Sequence, residues 1–330
     1  MTRAEAEALI CRILQARGTA AANAASVARA LVQAEIDGQK GHGFSRVASY
    51  AAQVASGKVD GTACPTASRD GARVMIDAAD GFAFPAIDLA ISELSALAPE
   101  HGIAMAGIRR SHHCGQLGAH VERLAEAGLV ALMVANTPKA MAPWGGSQAL
   151  FGTNPIAFAA PRDGAPPLVI DLSLSKVARG KVMAAAKAGQ PIPEGWALDV
   201  EGQPTTDPER ALTGTMIPAG DAKGAALALV VEILAATLTG ANRSDQATSF
   251  FDADGAPPGV GQTIIAFDTG GVAGFGARLE SLIGAILSQD GTRLPGEKRL
   301  AGRRTTQGGE RVTIPGHLMQ ELATLDTARP

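Results

Sequence analysis

At Val74 the hydrophobic pattern of this 330-residue chain changes period, and that change limits the folds open to it. Ahead of it, apolar residues recur at helical spacing. Leu9, Ile10 and Ile13 form one stripe, and Val27, Ala30, Leu31 and Ala34 another. Val47, Tyr50, Ala51 and Val54 line a third helix, over Ser45 to Ser56, which stops at Gly57. Residues 58–71 read as a turn-rich link. Beyond it, short β-branched or apolar runs alternate with helical patterns, as an α/β region requires. Strands are expected at Val74–Ile76, Ile103–Ile108, Val130–Ala135, Ile156–Ala160, Leu168–Leu172 and Thr263–Phe267. Helices are expected at Ala86–Leu97, Leu117–Ala127, Lys176–Ala188, Lys223–Thr239 and Val272–Gln289. Arg311–Thr313 looks extended, and Pro315 suits the first turn of a last helix through Leu325. The expected division is a helical domain over 1–70, completed by 300–330, and an α/β domain over 71–299.

Charge and cysteine usage remove several function classes. Net charge is −3 with no long basic run, which argues against a nucleic-acid partner, and the Arg303-Arg304 doublet reads as solvated surface. The longest apolar run, Gly224 to Ala241, contains Glu232 and falls short of a bilayer span, so no membrane role is expected. No apolar signal core follows the charged start. Cys11, Cys64 and Cys114 are odd in number and widely spaced, which fits reduced thiols in a cytoplasmic protein.

Chemistry gathers in three places. Residues 111–155 open with Ser111-His112-His113-Cys114-Gly115-Gln116-Leu117-Gly118. They close with Ala142-Pro143-Trp144-Gly145-Gly146 and Phe151-Gly152-Thr153-Asn154-Pro155. Glycines, small hydroxyls, an amide and paired imidazoles between apolar runs suit a polar ligand approached closely by backbone. Gly41-His42-Gly43-Phe44-Ser45-Arg46 is the second place. An imidazole at a helix mouth suits acid–base work, and a guanidinium four residues on, on the same helical face, can grip a carboxylate. In the third, Asp171-Leu172-Ser173 leads from a strand to the cationic run Lys176 to Lys181, and such a junction offers backbone N–H groups to phosphates. Arg293, Lys298 and Arg299 either add charge for a ribose phosphate or are solvated loop cations.

Other chemistries lack their signatures. The dinucleotide fingerprint G-x-G-x-x-G is missing, and Gly271 to Gly276 has the wrong spacing. Ser111-His112-His113 with His120 supplies imidazoles but no carboxylate at ligand spacing, so no metal is expected. Neither a nucleophile elbow nor a Walker-type loop is present.

Taken together, these segments resemble the type-2 malate/L-lactate dehydrogenase family of NAD(P)-dependent oxidoreductases. The likeness rests on Gly41-His42-Gly43 with Arg46 and Tyr50, Ser111-His112-His113, Ala142-Pro143 with Gly145-Gly146, and Phe151-Gly152-Thr153-Asn154-Pro155-Ile156-Ala157. Gly195-Trp196-Ala197-Leu198-Asp199, Gly202 to Pro208, and Lys223-Gly224 before a long helix complete it. The resemblance implies a non-Rossmann NAD(P)-binding α/β domain, a smaller helical domain, and active sites formed in a homodimer. It implies His42 as the proton donor, with Arg46 and Thr153 holding substrate. NADPH, or NADH, would lie against His113, Cys114, Gly115, Gln116 and Leu117, against Asp171, Leu172 and Ser173, and against Lys223. Arg293, Lys298 and Arg299 would favour the extra phosphate of NADPH. Many relatives carry Ser or Thr immediately before the catalytic His, as part of a proton relay. Here that place is Gly41, so another group or water completes the relay, or the reaction needs none.

Ser111-His112-His113 and Phe250-Phe251-Asp252, with Pro257-Pro258 and Gly261-Gln262, look more like the cyclic imine reductases of the family. The expected reaction is therefore reduction of Δ1-pyrroline-2-carboxylate to L-proline, with Δ1-piperideine-2-carboxylate to L-pipecolate as a companion. A 2-hydroxy-acid dehydrogenase acting on malate, lactate or a related acid is the alternative within the family. A non-catalytic metabolite-binding relative is the alternative outside it.

Overall fold

The computed structural model describes residues 1–327. Thr2 starts the first helix, α1 (Arg3–Gln15), with a reciprocal cap: its hydroxyl accepts from the Glu5 N–H while the Glu5 carboxylate accepts from the Thr2 N–H. α2 (Ala21–Ile36) and α3 (Val47–Ala55) follow. The apolar stripes bury Ile10, Ile13, Val27, Leu31, Val47 and Tyr50 in one cluster, which Val312 and Leu322 join from the far end of the chain. Gly57, at φ +80°, ends the third helix as expected.

The α/β part runs β1 (Thr66–Asp70), β2 (Arg73–Asp77), α4 (Ala83–His101), β3 (Ile103–Ser111), α5 (Leu117–Glu126), β4 (Leu129–Ala135), β5 (Ile156–Arg162), β6 (Ala165–Leu172) and α6 (Arg179–Lys187). A small sheet comes next: β7 (Ala197–Leu198), β8 (Pro204–Thr205), then α7 (Pro208–Thr213) and β9 (Thr215–Met216). The chain continues through α8 (Ala222–Glu232), a π turn at Ile233–Thr237, β10 (Val260–Asp268), α9 (Phe275–Leu287), α10 (Glu297–Thr305) and α11 (Gly316–Thr327). The seven-stranded sheet has the order β1-β2-β3-β10-β4-β5-β6. The β2–β3 pairing is parallel and every other pairing in this sheet is antiparallel, so the sheet is mixed. β10 enters last and lies at the centre, with Ile264 paired to Ala106 on one side and Met133 on the other. α4 and α5 bury one face through Ile87, Leu94, Val121 and Leu124 against Ile108, Met133 and Ile264. No helix among the described residues is long and apolar enough to cross a membrane.

All the expected strands and helices occur, with several corrections. The 58–71 link contains β1, whose side chains are all exposed and so carry no apolar alternation. The small sheet is built of two-residue strands, too short for periodicity to reveal. The helix expected from Lys176 begins at Arg179, because Ser173 and Ser175 hold the preceding turn by side-chain bonds. The run Lys223–Thr239 departs from α geometry at Ile233, where the Thr263 hydroxyl donates to the Leu234 carbonyl at 2.7 Å and the Thr239 hydroxyl to Ala235 at 2.6 Å.

Arg303 is not the solvated cation expected. It lies on α10, a polar helix with no apolar stripe to announce it, and it grips two carboxylates. Its Nε and Nη2 donate to Asp37 at 2.6 and 3.0 Å, and Nη1 and Nη2 donate to Glu122 at 3.0 and 2.7 Å. Arg299, one turn earlier, donates to Glu122 at 2.5 Å. Burial alone would raise the Glu122 carboxyl, but the hydrogen bonds from Arg303 and Arg299 outweigh it and hold it below the ordinary carboxylate value. Removing one member strands a buried charge, so Arg303→Met should cost ~3 kcal/mol in urea unfolding at neutral pH. Because the folded carboxyl titrates low, the Glu122 contribution should be complete above its unfolded range and fade as pH falls through the depressed value. Unfolding midpoints of both proteins across the acid range check both statements.

Candidate active site

His42 closes a 3-10 turn at Lys40–His42, and a second turn at Phe44–Arg46 leads into α3. Gly43 breaks the chain between them, so His42 and Arg46 do not share one helical face as expected. Arg46 is instead tied back by its Nε, which donates to the Gly41 carbonyl at 2.7 Å. Gly43 is the position that demands glycine: a Cβ there would run into the Glu35 carboxylate, which accepts from the Phe44 N–H at 3.3 Å. At Gly41 a Cβ would meet nothing within 4 Å.

The imidazole of His42 lies parallel to that of His113, with centroids 5.1 Å apart, and its Nδ1 is 3.0 Å from His113 Nε2. On the far side, His113 Nδ1 is 2.5 Å from the hydroxyl of Tyr50, the only tyrosine in the chain. Three residues thus form one hydrogen-bonded chain, and both ring nitrogens of His113 are used in it. His113 therefore has no ring nitrogen free for a further hydrogen bond. Burial, with the charge of Arg46, pushes His42 down to about 4. Burial, Arg46 and the neighbouring imidazoles hold His113 well below its ordinary value. Burial pushes Tyr50 upward, so its hydroxyl stays protonated.

At neutral pH the chain is uncharged and has two proton arrangements. In one, Tyr50 donates to His113 Nδ1, His113 Nε2 donates to His42 Nδ1, and the outer nitrogen of His42 carries a proton. In the other, the donors run in reverse and the outer nitrogen is bare. The first gives the Tyr50 proton an acceptor and is the resting form. Phe250 and His112 wall this chain, with the Phe250 centroid 5.3 Å from His113 and that of His112 5.4 Å from Tyr50. Neither ring nitrogen of His112, which is buried, has a hydrogen-bond partner among the described residues.

Arg46 is 9% exposed, and its guanidinium lies 4.3 Å above the Phe251 ring. Its Nη1 is buried with no partner. A fixed, desolvated guanidinium with a free edge asks for an anion, and a carboxylate matches its fork. Thr153 is held elsewhere: its N–H donates to the Thr137 hydroxyl at 3.0 Å and its carbonyl accepts from Leu174 at 2.9 Å. No hydrogen bond among the described residues joins Thr153 to His42 or Arg46. Its neighbours are structural. A Cβ on Gly152 would strike the Thr137 carbonyl, and Asn154, at φ +37°, donates to Glu232 at 2.8 Å.

The segments expected to hold the cofactor come together in part. The Gly118 N–H at the start of α5 donates to Asp171 at the end of β6 at 2.7 Å, and a Cβ on Gly296 would meet the Val169 carbonyl at 2.9 Å. Three segments therefore meet at this edge. The Ser173–Lys176 junction is not an open phosphate cradle, since the Leu174, Ser175 and Lys176 amides already donate to Thr153, Ser173 and Ile217. Cys114, Gly115, Gln116 and Leu117 are all buried, Gln116 donates to Asp37 at 2.8 Å, and burial pushes the Cys114 thiol up to about 12. Arg299 donates to Glu122 through Nη1, while its Nε and Nη2 are buried with no hydrogen-bond partner among the described residues. Arg293 and Lys298 are exposed and carry no ion pair among the described residues, and Leu172 exposes 45% of its surface beside Asp171 and Ser173. Two cations without ion pairs, on the loop and first helical turn that reach β6 at Gly296 and Val169, fit a phosphorylated nucleotide. Lys223 stands exposed at the start of α8, with no hydrogen bond to that group among the described residues. No cluster of His, Cys, Asp or Glu among them can hold a metal ion.

Comparison with known proteins agrees with this fold. The malate/L-lactate dehydrogenase family model matches residues 1–323. The chain is 52% identical to a (2R)-3-sulfolactate dehydrogenase (NADP(+)) of Chromohalobacter salexigens, over 98% of this chain and 97% of the other. It is 42% identical to a Δ1-pyrroline-2-carboxylate/Δ1-piperideine-2-carboxylate reductase of Pseudomonas putida, over 97% and 95%. The crystal structure of the Δ1-piperideine-2-carboxylate reductase from Pseudomonas syringae superposes with a TM-score of 0.92 at 38% identity, covering 98% of this chain and 99% of that one. The chain belongs to the malate/L-lactate dehydrogenase family, a family of oxidoreductases.

If the chain of Tyr50 and His113 replaces a hydroxyl at position 41, Tyr50→Phe should lower kcat on the order of tenfold, a fraction of what a direct acid–base group supplies. Gly41→Ser, which has room, should change kcat by no more than about twofold, since the hydroxyl then duplicates a working relay. Steady-state kinetics of the two variants with one substrate make the comparison.

Proposed function

We propose that this protein is an NADP-dependent dehydrogenase that interconverts a small 2-hydroxy acid and its 2-oxo acid, with 3-sulfolactate as the foremost substrate. The hydrogen-bonded chain from Tyr50 through His113 to His42 carries the reading. When hydride leaves a carbinol carbon, a proton must leave its hydroxyl, and the reverse step must return one to oxygen. A cyclic imine that enters already protonated on nitrogen accepts hydride and becomes the neutral amine with no further proton moved. An orientated, neutral imidazole chain is therefore of more use to C–OH chemistry than to C=N chemistry.

In the oxidation direction the chain first takes its reversed arrangement, in which His42 Nδ1–H donates to His113, and the outer nitrogen of His42, now bare, takes the hydroxyl proton. In reduction the imidazolium returns that proton to oxygen. Arg46 binds the carboxylate through the guanidinium edge left free, and Thr153 is assigned a second substrate contact. Bound NADP supplies or accepts the hydride. The residues that would hold it are Gly115 and its turn, Leu172 and Ser173 at the β6 end, Arg293 and Lys298 for a phosphate, and Lys223. The NADP(+) in the name of the relative at 52% identity supports the same cofactor.

The expectation of a cyclic imine becomes the second reading. The relative at 42% identity supports it, and there His42 would keep the imine nitrogen protonated. The intact proton chain speaks against a merely binding relative. With NADP(+) and 3-sulfolactate, lactate and malate, and with NADPH and Δ1-pyrroline-2-carboxylate, kcat/KM should favour a hydroxy acid by at least about tenfold. The opposite ratio installs the second reading, and NADPH binding without any turnover installs the binding protein. His42→Ala should lower kcat by ~10²–10⁴ while NADPH still binds, which fluorescence titration measures.

A second copy of the chain is the proposed partner. Leu227, Val230, Ile233 and Leu238, on α8 and just past it, each expose nearly half their surface, an apolar strip that a homodimer would cover. Light scattering should give twice the 33.5 kDa chain mass, and Ile233→Glu should shift it toward the monomer.

A further inference from the structure

Lys58 is a lysine where the fold tolerates little charge: it is 2% exposed, just past the turn that ends α3. No carboxylate among the described residues forms an ion pair with its ammonium group. Nζ donates to three backbone carbonyls, those of Ser249, Asp252 and Asp254, each at 2.9 Å. Three donors meet three acceptors, so the buried charge is fully used. Two neighbours on the same helix end grip the same loop. Gln53 Nε2 donates to the Asp252 carbonyl at 3.0 Å, and the Ser56 hydroxyl donates to the Ala253 carbonyl at 2.7 Å. Five hydrogen bonds thus bind residues 249–254 to one end of α3, all to backbone, and so they fix the path of the loop.

That path matters because of the two side chains it carries. Phe250 stands against both His112 and His113, at 5.4 and 5.3 Å between centroids. Phe251 lies beneath the Arg46 guanidinium at 4.3 Å. One ring keeps water from the proton chain and the next sets the plane of the anion-binding fork. We propose that Lys58 is a positioning residue of the active site: by chelating the 249–254 carbonyls it holds Phe251 under Arg46, and so sets the affinity for the substrate carboxylate. This rests on Arg46 as the carboxylate ligand in the proposed reaction.

The test uses the full-length protein with whichever 2-oxo or 2-imino acid the unaltered enzyme turns over. Lys58→Ala should raise KM for that acid about tenfold, the scale of a desolvated cation–π contact, with kcat changed less and the Kd for NADPH unchanged. Ethylammonium chloride should lower the KM of this variant again by refilling the carbonyl cage, whereas tetramethylammonium, which has no N–H, should not. Phe251→Leu, with the clamp intact, should show the same rise in KM and no response to ethylammonium. A KM for Lys58→Ala within about twofold of the unaltered enzyme overturns the proposal, as does a KM that rises together with the Kd for NADPH. If Lys58→Ala gives no folded protein, Phe251→Leu decides: an unchanged KM overturns the proposal. An unaltered enzyme with no activity on any such acid removes the proposed function itself, an outcome distinct from these.

Discussion

The carboxylate of Asp37 sets the register on which the site depends. Asp37 ends α2 through its backbone N–H, and its fully buried side chain accepts from Arg303, Gln33 and Gln116. Five residues after Asp37 comes His42, and three residues before Gln116 comes His113. One buried charge therefore anchors both segments whose imidazoles must meet at 3.0 Å. A carboxylate in that place cannot be left unpaired without a large desolvation penalty, so the helical segment, α5 and α10 are held in one arrangement rather than several.

Much of this architecture was legible because it repeats locally. The strands of the large sheet carry β-branched runs, and the helices of the first cluster carry stripes of the right period, so local periodicity found both. The position of β10 was not legible, since nothing in Val260–Asp268 says that the last strand inserts between β3 and β4. Nor was α10, whose contacts are ionic and leave no apolar stripe. The site divides in the same way. His42 and Arg46 stand out in the sequence by residue type and neighbourhood. Tyr50 reads as one member of an apolar stripe and of the family motif, with no sign of its partner, which lies 63 residues away. Its being the single tyrosine, four residues beyond Arg46, was the available signal. Lys58, Gln53 and Glu35 gave none, because their partners are backbone groups that sequence does not identify.

Glycines and amides in the family motifs serve the scaffold as much as the ligand. Gly152 lets the chain pass against Thr137, and Asn154 takes a left-handed turn and is pinned by Glu232, which also accepts from Ser244 at 2.6 Å. Glu232, the acid that interrupts the longest apolar run, is thus a buried acceptor that fixes the turn next to Thr153. At the other edge, Asp171 spends one oxygen on the first turn of α5, which binds β6 to the helix and leaves Leu172 facing outward.

With His42 and His113 neutral, the unliganded pocket has one permanent positive charge, that of Arg46. A monoanion is neutralised by it. A dianionic 2-oxo acid brings one charge too many, and the nearest remedy is to protonate His42, so capture of that acid and of the proton its reduction consumes become a single equilibrium. Discrimination between singly and doubly charged acids then varies with acidity of the medium, and the same imidazole serves as counter-ion before it serves in chemistry.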